Sequence, residues 1–304
     1  KFKKFLKLDY ALVTSLGPEH MEYFSSVEEA AAEELRVQQF TRHMILNKDL
    51  CPSNLLKSLK SSHEFYELDH ANKLPIDSWR IKLGDLQPVR IHHRVLSKAR
   101  LYSLSSAIVI GRKLKLSMDR INKTLPKISY VPGRMSTLKG KKGSLIIDDS
   151  YNASPEATIL ALNTIYSYPA KQRIALLGNM NELGEFAAKM HRQVGEACDS
   201  GKLDLLITLG PDSNQYLADQ AEKNGCQVIR SKTPYEAANI IEDRIKNNSV
   251  ILVKGSQNGV FAEEAVKLLL QDPHDSKRLV RQTRSWLAKK RNQFPEPVVS
   301  GQAK

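Results

Sequence analysis

An α/β protein with a parallel sheet is what this sequence predicts, on three observations. From Gly143 onward the apolar runs SLIID, RIALLG, DLLITLG, CQVIR and SVILVKG alternate with helical stretches of roughly 12 to 20 residues, the rhythm of βαβ crossovers. Helix starts are marked independently: Ser154 before Pro155 offers a cap and a helix-ready first position, and Thr233, Pro234 and Glu236 read as a capping box. A length of 304 residues with 41% hydrophobic side chains suffices for about two domains with their own cores.

Taken in order, LDYALVTSLG (8 to 17) reads as a buried strand ending in a Gly-Pro turn, followed by a helix through EEAAAEELRVQQF. Residues 42 to 100 hold short apolar pieces such as WRIKLGDL and VRIHH, read as mixed strands and loops. Residues 101 to 127 show three- and four-residue apolar spacing and predict two helices, which VPGRM interrupts. The last helix of the alternating region, VFAEEAVKLLL, ends before Asp272-Pro273, and a basic tail containing RSWLAKKR follows.

Composition narrows the function classes. Forty-six Lys plus Arg against 33 Asp plus Glu give a formal charge of +13. The cations gather at Lys1, Lys3, Lys4 and Lys7, around 112 to 142, and at Lys277, Arg278, Arg281, Arg284, Lys289, Lys290 and Arg291. Spread this way they suggest solvated faces plus a basic tail, with phosphorylated substrates or nucleic acid as the functional alternatives. No helix-turn-helix signal or aromatic stacking motif supports nucleic acid. No apolar run approaches the roughly 20 residues that cross a bilayer, so a soluble protein is expected. Cys51, Cys198 and Cys226 are odd in number and far apart, which points to a reducing, cytoplasmic setting. KFKKFLK lacks the apolar core of a signal peptide, and a first residue of Lys1 suggests that the chain begins partway through something.

In parallel sheets ligands gather beyond the carboxyl ends of the strands, and here those positions are polar and glycine-rich: Asp148 to Asn152, Gly178 to Glu182, Gly210 to Asp212 and Lys254 to Gly259. Lys254, among small residues before a helix start, is a candidate anion contact. A GxxxxGK[ST] phosphate loop is absent, as are GxGxxG, HExxH and GxSxG.

VPGRMSTLKGKKGSLIIDDSYNASPEA, RIALLGNMNELGEFAAKMHRQVGE and VILVKGSQNGVFAEEAVKLLL together resemble the C-terminal domain of the Mur ligases, the ATP-dependent amide ligases of peptidoglycan precursor synthesis. Upstream, VTSLGPEHMEYFSSVEEAAAEE resembles the second half of that family's central ATPase domain. The resemblance implies a partial central domain over 1–130, a Rossmann-like C-terminal domain over 131–271 and a basic tail over 272–304, with the N-terminal domain and the phosphate-loop half of the central domain missing. It further implies ATP and Mg2+ as cofactors, and a UDP-MurNAc-peptide and an amine such as D-alanyl-D-alanine as substrates. The carboxylate would be phosphorylated to an acyl phosphate, which the amine attacks. Without its phosphate loop the chain is expected to be inactive alone. Polyglutamate- or cyanophycin-type ligases of the same chemistry, and a non-catalytic basic binding module, are the alternatives.

Residue by residue, His20 falls where the family places a magnesium ligand, and Glu34 stands where a carbamylated lysine is usual, supplying a native carboxylate. Arg134 matches an arginine near the nucleotide phosphates, Asp149 the ribose aspartate, and Tyr151 and Asn152 a turn against the nucleoside. The resemblance implies catalytic roles for Lys254 and His191, and substrate contacts for Asn179, Glu182 and Ser256. Gln257 replaces the arginine expected after KGS, and Lys98-Ala99 replaces an asparagine-rich adenine motif.

Overall fold

The structure is a computed structural model, and it describes residues 7–70, 76–84, 86–95, 97–128 and 131–294. Lys1, Lys3 and Lys4 of the first basic cluster, and the tail beyond 294, lie outside the described residues. Contacts divide the chain into two units. One holds Lys1–Ser129, Ile159–Tyr168 and Glu182–Ala187; the other holds Tyr130–Thr158, Pro169–Asn181 and Ala188–Lys304.

The first unit begins with β1 (Leu8–Val13) and α1 (Val27–Glu34), continues through β2 (Thr41–Asn47), β3 (His63–His70), β4 (Ile76–Leu83) and β5 (Leu86–Val95), and ends in α2 (Lys98–Lys113) and α3 (Met118–Thr124). Its sheet runs β1-β2-β3-β4-β5, parallel across the first three strands and antiparallel after them. β1 was expected to be a buried strand. Instead it stands at the sheet edge with only Val13 buried, because β2 alone pairs with it among the described residues. The helix expected through 40 stops at Glu34 and tightens into a 3-10 turn over Leu35–Phe40.

One core of this unit joins the sheet to α2 through Ile45, Tyr66, Trp79, Ile91, Leu101, Leu104 and Ile108. Burying Tyr66 and Trp79 is tolerable because their polar atoms find partners: the Tyr66 hydroxyl lies 2.7 Å from Ser106 Oγ, and Trp79 Nε1 donates to Ser105 Oγ at 3.2 Å. The serines of YSLSSA thus serve the core of α2. Ser97 caps that helix by accepting from Arg100 N–H, which places Lys98 and Ala99 in its first turn.

The second unit is built on β6 (Ser136–Lys139), β7 (Leu145–Asp149), β8 (Arg173–Gly178), β9 (Leu205–Leu209), β10 (Val228–Ser231) and β11 (Val250–Lys254). The helices of this region are α4 (Pro155–Ser167), whose residues from Ile159 group with the first unit, α5 (Ala187–Glu196), α6 (Ala218–Lys223), α7 (Pro234–Arg244), α8 (Glu263–Leu269) and α9 (Arg284–Gln293). The sheet order is β10-β9-β8-β11-β7-β6, parallel except for β6. All five apolar runs read from the sequence are strands, and β8, β9 and β11 are buried almost throughout.

The Thr233 side chain accepts from Glu236 N–H at 3.1 Å, while Glu236 reaches back to Lys232 N–H rather than to the cap residue. Part of the basic tail packs inward. Leu279 is part of the sheet core, and Lys290, 1% exposed, is ion-paired with Glu263 and Glu264.

Candidate active site

β7 carries the central motif. It ends because Asp148 Oδ1 accepts both Ser150 N–H (3.2 Å) and Ser150 Oγ–H (2.6 Å), a local loop that turns the backbone out of the sheet. Asp148 Oδ2 is buried without a hydrogen bond, and burial raises this carboxyl from 3.8 to about 6, against the lowering effect of the Ser150 bonds. Gly133 closes the other side of the turn. Its φ of +66° favours glycine, its carbonyl accepts Tyr151 N–H at 3.0 Å, and a Cβ there would lie 2.8 Å from Val280 Cγ1.

Arg134 and Tyr151 therefore emerge side by side. The guanidinium carbon sits 4.1 Å from the Tyr151 ring centroid, and Tyr151 is 40% exposed. This cation-on-aromatic shelf offers a flat face and a multi-donor fork, which suit a nucleobase or sugar and a phosphate.

Beneath the shelf Asp149 Oδ1 accepts Met135 N–H (3.0 Å) and Oδ2 accepts Lys254 Nζ–H (2.6 Å). A ribose hydroxyl would have to share one of these oxygens. Lys254, expected to meet an anion or the reacting atoms, is 3% exposed and donates to Asp149 and to the Asn152 carbonyl (2.9 Å). The structure gives it a bracing position under the turn, because β11 ends directly beside β7 and delivers its last side chain to Asp149. His191, the other residue expected to be catalytic, is fully buried, and its Nε2 accepts Met180 N–H at 3.1 Å. It holds the loop after β8 and does not face solvent.

Ser256 has a similar job. Its hydroxyl accepts Asn181 N–H (2.9 Å) and donates to the Ala153 carbonyl (3.2 Å), linking three strand-end loops. Asn179 Oδ1 accepts Ser213 N–H at 2.9 Å. Asn181, which had no role assigned from sequence, donates to the carbonyls of Gln257 and Asn258. Between the ends of β8 and β11, Cβ atoms on Gly178 and Gly255 would lie 2.4 and 2.7 Å from Val260 Cγ1, so that side chain fills the space the two glycines leave.

Two residues missed from sequence complete the turn: Arg281 donates to the carbonyls of Ser150 (2.6 Å) and Tyr151 (3.1 Å) while pairing with Glu263. Only the basicity of the tail and the acidic start of α8 hinted at them.

In the first unit His20 and Glu182, both in left-handed backbone (φ 54° and 63°), face each other with Nδ1 and Oε2 2.6 Å apart. Glu182, expected among substrate contacts, lies against the candidate metal ligand. Glu34 lies near enough to feel His20 and Glu19. Its carboxyl is raised above the ordinary value by desolvation first and then by Glu19, with His20 opposing. Among the described residues no three His, Cys, Asp or Glu side chains gather in a form that could hold a metal ion alone. Magnesium, however, takes one or two protein ligands and completes its shell with phosphate oxygens and waters. Glu34, whose charge is disfavoured by burial and by Glu19 and favoured by His20, fits that partial role.

Residues 133–257 match the family described as Mur ligase, glutamate ligase domain. The chain is 22% identical over 282 residues to the UDP-N-acetylmuramoyl-tripeptide--D-alanyl-D-alanine ligase of Haemophilus influenzae, covering 88% of this chain and 60% of that protein. To the protein of the same name from Bacillus subtilis it is 24% identical over 281 residues, covering 87% and 60%. The chain thus spans about three fifths of the length of these curated relatives. A crystal structure of MurF ligase from Thermotoga maritima in complex with ADP superposes with a TM-score of 0.71 at 22% identity, covering 87% of this chain and 62% of that one. That likeness speaks for the fold. No helix among the described residues is long and apolar enough to cross a membrane.

Proposed function

We propose, on the premise that residues 133–257 are a Mur ligase C-terminal domain, that this chain is part of an ATP-dependent amide ligase joining D-alanyl-D-alanine to a UDP-MurNAc-tripeptide. The observation that carries this reading is the Arg134–Tyr151 shelf at the carboxyl edge of the parallel sheet, braced from below by the Asp149–Lys254 pair. A planar cation beside an aromatic face, fixed by two buried opposite charges, is a surface for a nucleotide. The same shelf would serve the related polyglutamate- and cyanophycin-type ligases, so acceptor choice must be tested directly.

The chemistry divides between binding and charge neutralisation. In that reaction the γ-phosphoryl group would pass from ATP to the peptide carboxylate with release of ADP, and the amine would then attack the acyl phosphate, giving the amide and inorganic phosphate. Arg134 would pair with phosphate oxygens, and Tyr151 would stack on the nucleoside. Asp149 would share an oxygen with the ribose. Lys254, His191 and Ser256 hold the loops that carry these groups, and their contribution is rigidity. Glu34 and His20 would hold Mg2+, which when bound supplies neutralisation of phosphate charge. Glu182 would orient the His20 ring.

Two outcomes are expected. With ATP, UDP-MurNAc-tripeptide and a panel of amines, this chain joined to the phosphate-loop portion of a curated relative such as the Bacillus subtilis ligase is expected to release phosphate with D-alanyl-D-alanine and not with glutamate or arginine. This chain alone hydrolyses no ATP. Phosphate release driven by glutamate instead would replace the reading with a polyglutamate-type one, and robust hydrolysis by the chain alone would overturn the need for a separate phosphate loop. Second, Glu34→Gln in that joined protein is expected to weaken Mn2+ binding in the presence of ATP by about tenfold, a cost of about 1.4 kcal/mol, followed by water proton relaxation. Unchanged Mn2+ affinity would remove Glu34 from the metal site.

A further inference from the structure

The Ser150–Tyr151 turn is held from an unexpected direction. Arg281 lies outside residues 133–257 and follows α8 in a left-handed conformation (φ 55°) that an arginine adopts at a cost. Its side chain is only 6% exposed and makes four hydrogen bonds. Nε and Nη2 donate to the two carboxylate oxygens of Glu263 (2.8 and 2.6 Å), a bidentate pair that fixes the guanidinium plane. The outward N–H groups then donate to the Ser150 carbonyl (2.6 Å, from Nη2) and the Tyr151 carbonyl (3.1 Å, from Nη1).

Glu263 is itself fully buried and shared with Lys290, whose ammonium also reaches Glu264. Val280, next to Arg281, occupies the space left by the missing side chain of Gly133, which in turn accepts the Tyr151 N–H. Three segments distant in sequence meet at this turn, and Arg281 contacts both of its carbonyls through a side chain fixed in orientation.

We infer that Arg281 is a positioning residue for the nucleotide shelf: through the carbonyls of Ser150 and Tyr151 it sets the orientation from which the Tyr151 ring stacks with Arg134. Segment 279–293, which reads from sequence as a basic tail, is by this inference an arm of the site. The nucleotide part of the inference rests on the ligase reading; the mechanical part does not. Lysine cannot substitute, because one ammonium cannot hold a carboxylate with two parallel bonds and two divergent carbonyls together.

The test compares Arg281→Gln, Arg281→Lys and Lys290→Met with the unaltered 304-residue chain, by NMR-detected amide exchange and ADP titration. Lys290→Met removes ion pairs of the same network but leaves the Arg281 bonds to the turn, and so separates lost stability from lost positioning. In Arg281→Gln the amides of Ser150 and Tyr151 should exchange about tenfold faster relative to those of β11, and ADP should bind about tenfold more weakly. Arg281→Lys should fall between, and carries the test if the glutamine variant does not fold. Lys290→Met should lower the thermal midpoint without singling out the turn.

Exchange at Ser150 and Tyr151 that rises only in step with β11 in both Arg281 variants would overturn the inference. So would unchanged ADP affinity in variants of a chain that binds ADP. If the unaltered chain binds no ADP, the nucleotide reading fails and the exchange result alone decides whether Arg281 positions the turn.

Discussion

Replacing Lys254 by Ala is expected to destabilise the second unit by about 3–5 kcal/mol, because it strands the Asp149 carboxylate in a buried position and also removes the donor to the Asn152 carbonyl. At roughly 2–4 °C per kcal/mol for a chain of this size, the thermal midpoint should fall by about 10 °C. Lys254→Met with Asp149→Leu should recover much of that loss, since removing both charges leaves neither one unpaired. Recovery would be incomplete, because Met135 N–H then loses its acceptor. Denaturant unfolding of the two single variants and the double variant measures the coupling. A Lys254→Ala variant as stable as the unaltered chain would show that the ammonium braces nothing, and would favour the catalytic role expected of it from sequence.

A second large effect is expected from Asp148. Burial, with smaller contributions from the charges of Asp149 and Glu263, lifts its carboxyl from 3.8 to about 6 in the folded protein. Folded protein therefore keeps this proton to higher pH than unfolded chain does, so its contribution to stability is complete below about pH 4 and is lost as pH rises through about 6. A difference of about two units corresponds to about 3 kcal/mol. Other carboxylates slope in their own directions, so the informative quantity is the stability of Asp148→Asn minus that of the unaltered chain. That difference should grow by about 2 kcal/mol in the variant's favour between pH 4 and pH 7, read from urea midpoints. A flat difference would mean that the carboxylate finds compensation in the folded state that its orphaned Oδ2 does not reveal.

The parts of the fold that could be read from the sequence follow from how strands are solvated. β7, β8, β9 and β11 lie inside a parallel sheet covered on both faces, so they appear as uninterrupted apolar runs. The antiparallel strands β3 and β4 alternate buried with more exposed positions, as at Tyr66, Glu67 and Leu68 or Trp79, Arg80 and Ile81, and their short polar-interrupted segments read only as mixed strands and loops. β1 carried the opposite error: its apolar letters imply burial, but a strand's exposure depends on its neighbours in space.

For the candidate site, residue types proved more legible than roles. Lys254 and His191 are the chemistry-bearing letters of their motifs, yet both are enclosed, and no pattern in sequence distinguishes a cation that meets substrate from one that meets Asp149. Arg281 lies 130 residues from Tyr151, a separation at which no periodicity can announce a contact.

The space that Val260 fills between Gly178 and Gly255 bears on inhibitor design. In many sheets of this kind a dinucleotide threads into a groove between neighbouring strand ends. Here the protein's own isopropyl group is lodged at that point, so a compound shaped as a groove-threading coenzyme mimic has no room to enter between β8 and β11. A flat molecule lying on the partly exposed Tyr151 ring would not have to displace Val260. Selectivity for this protein over coenzyme-dependent oxidoreductases of similar architecture would then come from shape, before any polar contact is considered.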